Sequence, residues 1–316
     1  MPILGTRPAR VYASPVWGAK KGVIMETLIN GLSLGGIYAL IALGYTMVYG
    51  IAKMLNFAHG DIIMAGAYAI FVVIGLQGNL LLSAAALLVA ILFCVTLGIL
   101  TERIAYRPLR GASPLAVLIT AIGVSYLLQS IAQLVFKSEG LPVSTGAASL
   151  GSVPFLGTNL KVSSLLTLGL CIIIMTALTL FVDKTRIGRA MLAVSEDRAA
   201  ASLMGINTNF IITLTFAIGS ALAAFASLFY LMQIPVVTPV LGSLPGIKAF
   251  TAAVIGGIGS IPGAMLGGIL LGVIECFCQS VPEISPYTTA IEFGLLIVIL
   301  LVRPVGLLGK KRREKV

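Results

Sequence analysis

Charged residues are missing from long stretches of the chain. Uncharged apolar runs occupy 27–52, 79–101, 113–136, 162–182 and 208–234, each long enough for the roughly 20 residues of a membrane-spanning helix. A shorter run, 62–76, follows His59 and Asp61. The glycine-rich run 249–274 contains Pro262, which predicts a break near Gly259 into two short elements. The last run, 287–302, is interrupted only by Glu292. The pattern predicts an all-α polytopic membrane protein with eight or nine transmembrane helices. Nine crossings place the N-terminus outside. Eight, with 53–76 partly re-entrant, place it inside. The runs also fit an inverted pair of four-helix halves, with 27–52 going inward and 208–234 outward.

Composition agrees. Of 316 residues, 58% are hydrophobic and 10% charged, against about 25% charged in soluble domains. The formal net charge of +10 invites a nucleic-acid reading, but the basic residues collect on one side of the predicted membrane. Arg103, Arg107, Arg110, Lys184, Arg186, Arg189, Arg198, Arg303 and the tail from Lys310 share that side with Lys53. The opposite loops hold Lys137, Lys161 and, on this reading, Lys248. The bias makes the richer side, and the C-terminus, cytoplasmic. Cys94, Cys171, Cys276 and Cys278 all fall in apolar runs and read as packing residues. The domain reading is a transmembrane unit, 25–306, a basic tail, 307–316, and an N-terminal extension, 1–24. The extension carries Arg7, Arg10, Lys20 and Lys21 and no acid, which points either to Met25 as the start or to an inside N-terminus.

The segment 183–207 interrupts this pattern. Asp183 to Arg198 holds seven charges, which at roughly 2.5–3.5 kcal/mol each could not sit in hydrocarbon. It is nevertheless helix-prone. Ser195 can cap, Glu196 and Asp197 suit a first turn, and Gly205 suits a stop. Leu203, Met204 and Ile206 leave an apolar knob at its end. A surface linker and a docking helix fit this composition equally.

Other candidates each have a plain and a functional reading. Gly31 and Gly35, and the series Gly259, Gly263 and Gly267, permit close helix packing. Asn56, His59 and Asp61 form either a helix cap or a gate, with a proton relay as the third option. Tyr126, Gln129 and Gln133 share one helical face, suited to lining a path or to bonding a neighbouring helix. Glu275 and Glu292 either pair with polar neighbours or meet a substrate ammonium. No nucleophile elbow, paired carboxylates or metal cluster appears, so no catalysis and no metal site are expected.

Five stretches, NGLSLGGIYALIALGYTMVYGI (30–51), NFAHGDIIMAGAY (56–68), ERIAYRPLR (102–110), GRAMLAVSEDRAAASLMGIN (188–207) and KAFTAAVIGGIGSIPGAMLGG (248–268), resemble the permeases of high-affinity branched-chain amino-acid ABC importers. The resemblance covers 30 to about 306 and implies a multi-pass protein of the bacterial inner membrane. It implies a second permease, two ATP-binding subunits that carry ATP and Mg, and an outside binding protein that delivers leucine, isoleucine or valine. It makes 183–207 the coupling segment, with Arg189, Glu196, Asp197, Arg198, Met204 and Gly205 toward the ATPase. The chain lacks the G-x-x-x-x-G-K-[ST] loop; GLLGKK has the wrong spacing. The rival substrates are urea, amides or other small solutes. The rival class is a proton-coupled transporter using Asp61, Glu275 or Glu292.

Overall fold

The computed structural model describes residues 16–75, 78–155 and 158–309. Residues 1–15 and 310–316, which hold most of the predicted extension and basic tail, lie outside the described residues. Eleven α-helices account for most of the chain: α1 Val16–Ala52, α2 His59–Ile74, α3 Leu80–Thr101, α4 Pro114–Phe136, α5 Val162–Lys184, α6 Arg186–Glu196, α7 Arg198–Leu203, α8 Thr208–Gln233, α9 Ser243–Gly256, α10 Ile261–Ser280 and α11 Thr288–Val302. Among the described residues, seven helices are long and apolar enough to cross a membrane, while α2 and α9 fall short. At 1.5 Å per residue, these two reach only about 20–25 Å against a hydrocarbon thickness of about 30 Å. The predicted eight or nine crossings thus resolve into seven full spans and two partial ones.

Helix α1 is the axis of the bundle. Every residue from Gly35 to Val48 is buried, as expected of a helix apolar on all sides. It packs on α5, α8, α9 and α10. The α1–α10 contact is backbone on backbone. A Cβ on Gly35 would lie 2.7 Å from the Ile269 Cα, and one on Gly272 would lie 2.2 Å from the Gly35 nitrogen. Gly31 and Gly268 belong to the same seam. Gly263 and Gly267 instead let α10 approach α9, against Gly256 and Ala252, and Gly259 sits at the break between them with φ +94°.

The short β-pairs mark one end of the bundle, called here the hairpin end. Leu141–Pro142 pairs antiparallel with Val236–Val237, and Ser152–Phe155 with Thr158–Lys161. The other, coupling end carries α6 and α7. There the structure corrects the predicted single helix: α6 runs through Ser195 to Glu196, and the chain breaks at Asp197. Asp197, not Ser195, caps α7, accepting from the Ala199 and Ala200 N–H groups at 2.8 and 3.0 Å. Gly205 ends the segment at φ +81°. Lys248 is also corrected. It lies inside α9 and is buried, not in a loop.

The seam predicts a graded response. Gly272→Val should destabilise the fold by about 1–3 kcal/mol or more through overpacking, whereas Gly294→Ala, whose Cβ meets nothing within 4 Å, should be neutral. Thermal unfolding of the purified protein in detergent checks both.

Candidate translocation site

The partial helices α2 and α9 begin inside the bundle. After α1 ends at Ala52, residues 53–58 turn back, with Lys53 at φ +53°, and α2 starts at His59. From the opposite end, the chain leaves Val237 and turns in to start α9 at Ser243. The two N-termini meet. A Cβ on Gly60 would fall 2.5 Å from the Gly242 carbonyl oxygen, and one on Gly246 would fall 3.1 Å from the Gly60 Cα. Only glycine permits this approach.

Helix N-termini present unpaired N–H groups and a positive potential. Two of them meeting in the bundle call for an anion. The acidic side chain in the first turn of α2 is Asp61, only 2% exposed. It accepts a hydrogen bond from Gln129 Nε2 at 2.9 Å. The same Gln129 nitrogen lies 3.3 Å from the hydroxyls of Ser125 and Ser243. Helices α2, α4 and α9 therefore converge on one polar junction. Partial helices whose N-termini meet within a membrane bundle are the usual frame of a substrate path.

The sequence candidates distribute unequally around this junction. Gln129 turns inward to it. Tyr126 and Gln133, grouped with it by spacing, are exposed on the open face of α4. His59 turns away from Asp61: its ring meets Tyr45 edge-on at 4.8 Å, and Nε2 fills the space left by Gly44 and has no hydrogen-bond partner. Asn56 accepts from the Tyr106 hydroxyl at 2.8 Å, tying the 53–58 turn to the end of α3. Tyr106 lies in a π-helical turn, Glu102–Tyr106. Buried Glu102 pairs there with Arg110 and accepts from Thr213 at 2.8 Å.

Glu275 and Glu292 form a separate cluster around Lys248. The ammonium lies 2.7 Å from Glu275 Oε1 and 3.2 Å from Glu292 Oε2. Sequence reasoning missed Lys248, Ser243 and Tyr106. Lys248 left one signal: a lone buried-run cation in a chain with two lone acids of opposite charge.

At the coupling end, Arg189, Glu196, Asp197, Met204 and Gly205 are exposed, as is Leu203; Leu203 and Met204 are 89% and 83% accessible. Arg198 turns inward. It donates to the Ile51 carbonyl at 3.3 Å and to that of Ala52, satisfying two terminal acceptors of α1. Burial, and then the charge of Arg110, lower its pKa from the usual guanidinium value. An open cleft of about 660 Å³, lined by Arg198, lies between α6–α7, the end of α1 and the start of α4.

Among the described residues, no three His, Cys, Asp or Glu side chains gather as a metal site. Seven spans, two facing partial helices and a charged segment at one end define a multi-pass membrane permease. The model of the branched-chain amino acid transport system permease component matches residues 27–301, and the chain belongs to that family. It is 47% identical over 92% of its length to the Pseudomonas aeruginosa high-affinity branched-chain amino acid transport system permease protein BraD, covering 98% of that protein. It is 42% identical to LivH of Escherichia coli, over 92% of this chain and 97% of that one. A solved metal-chelate type ABC transporter in an inward-facing conformation shares the fold, with a TM-score of 0.51, 16% identity and 92% and 91% coverage. The chain is thus a permease component of the branched-chain amino acid transport system family.

The junction predicts a sharp cost for losing its one amide. Gln129→Leu leaves the buried Asp61 carboxylate without its side-chain amide donor, a loss of about 1–3 kcal/mol. Transport should fall by at least about tenfold with the protein still inserted; unchanged uptake would remove the junction from the path.

Proposed function

We propose that the chain forms half of a translocation path for leucine, isoleucine and valine into the bacterial cytoplasm. The other half comes from a second, similar permease. Two ATP-binding subunits, which hold ATP and Mg, drive it, and an outside binding protein supplies substrate. The observation that carries this reading is the junction of α2, α4 and α9. It holds Asp61, Gln129 and Ser243, while Tyr126 and Gln133, neighbours of Gln129 on the same side of α4, stay exposed. Polar side chains on a membrane helix favour a protein or water boundary over lipid, which supports seating the partner permease along α4.

The coupling end and the C-terminus lie in the cytoplasm on this reading, because Arg103, Arg107, Arg110, Arg186, Arg189 and Arg303 gather there. Segment 183–207 is then the grip of the ATPase. Arg189, Glu196 and Asp197 supply charge, Leu203, Met204 and Gly205 an apolar tip. Arg198 passes motion to the end of α1. On this reading the acids serve as structure and not as a proton chain, which the contacts of Asp61 with Gln129 and of Glu275 and Glu292 with Lys248 support.

Two measurements follow. Leucine uptake in proteoliposomes should need both permeases, the ATPases, the binding protein and ATP, and should survive a protonophore. Uptake by this chain alone under an imposed pH gradient would overturn the reading. Leu203→Ser with Met204→Ser should lower uptake and substrate-stimulated ATP hydrolysis together by about tenfold, as loss of an anchoring contact does, with membrane insertion unchanged.

A further inference from the structure

The cleft at the coupling end belongs neither to the junction nor to the apolar tip: none of Asp61, Gln129, Ser243, Leu203 and Met204 lines it. Its volume of about 660 Å³ falls within the roughly 300–1,000 Å³ of small-molecule sites. Its walls present three kinds of surface. Tyr49, Leu55, Leu118 and Val194 make one side apolar. Arg110 and Arg198, both half-buried, make another cationic, with exposed Lys53 beside them. Glu196 adds an exposed acid, while Asp197 is engaged in capping α7.

The two guanidiniums are short of negative charge. Arg198 donates to the Ile51 and Ala52 carbonyls, and no carboxylate lies in salt-bridge reach of it among the described residues. Arg110 is near enough for its charge to lower the Arg198 pKa, second to burial. Arg110 itself donates to Glu102 and Asn209, and its buried Nε has no partner among the described residues. Half-buried cations held close together repel unless an anion joins them. Guanidiniums favour a planar oxyanion, and a carboxylate fits them. Glu196 has no ion-pair partner among the described residues either. A lone anion would leave that acid unanswered. A zwitterion with an apolar side chain answers all three surfaces.

We propose that this cleft is a second amino-acid site, which binds the delivered product from the cytoplasm and slows further uptake. The carboxylate lies between Arg198 and Arg110, the ammonium toward Glu196, and the branched side chain against Leu55, Leu118 and Val194. The occupant bridges α7 to the start of α4, and so ties the coupling segment to the helix that carries Gln129. This rests on the reading of the chain as a branched-chain amino-acid permease with its coupling end in the cytoplasm.

Two readouts on the complete transporter test this. The first is binding of labelled leucine in detergent, without binding protein or ATP. Leu55→Trp and Leu118→Trp, which fill the apolar wall, should each weaken it at least about tenfold. 4-Methylpentanoate lacks the ammonium and isopentylamine lacks the carboxylate, and each should compete at least about tenfold less well than leucine. The second readout is uptake into proteoliposomes. Leucine placed on the ATP side should slow the wild type at least about fivefold, and should not slow Leu118→Trp, whose uptake without it stays close to wild type. Leu55→Trp replaces that variant if it does not assemble, and the analogue competition stands without either. Absence of leucine binding overturns the proposal. So does binding or slowing that both tryptophans leave intact, or equal competition by 4-methylpentanoate. Leucine binding with no wild-type uptake defeats the transport reading instead.

Discussion

Hydrocarbon offers no partner to a backbone N–H group, so a helix that begins within a membrane must begin inside protein. Most of this architecture answers that constraint. Helices α2 and α9 both start in the bundle, and each start presses on the other through Gly60, Gly242 and Gly246. The long buried α1 walls one side of them, and α10 lies close behind α1 through its own glycines. Asp61 places a carboxyl group in the first turn of α2, and Gln129 holds it from α4. Small residues and one carboxylate thus make an interrupted helix tolerable at depth.

The same economy governs how ends are linked. Arg198 reaches the carbonyls that α1 leaves unpaired at Ile51 and Ala52. The axis of the bundle therefore terminates on a side chain from segment 183–207. Tyr106 does similar work for the 53–58 turn through Asn56. Both bonds join chain segments far apart in sequence at the point where a spanning element stops.

Much of the fold was legible because apolar length and charge are local. The runs located the spans, Pro262 located the break between α9 and α10, and the charges of 183–207 kept that segment out of the membrane. Lys248 defeated the same logic. A lysine reads as a loop residue until its acids are known, and Glu275 and Glu292 lie 27 and 44 positions away. The site was legible in parts only. Asp61 and Gln129 were both candidates, yet 68 residues separate them, and periodicity relates only neighbours on one helix. It grouped Gln129 with Tyr126 and Gln133, which share its side of α4 but stay exposed, so that of the three only Gln129 reaches the junction. Ser195 lost the cap to Asp197 because the backbone breaks two residues later than helix propensity suggested.

The clip of Leu307 and Leu308 onto the end of α9 makes the stretch that follows α11 a handle on that helix. Gly257 and Gly306 touch there with no room for a side chain, so the grip is tight. A load applied at Gly309 would therefore be carried to α9. A tether intended to be silent belongs at a distance from this point, while one intended to sense transport belongs close to it.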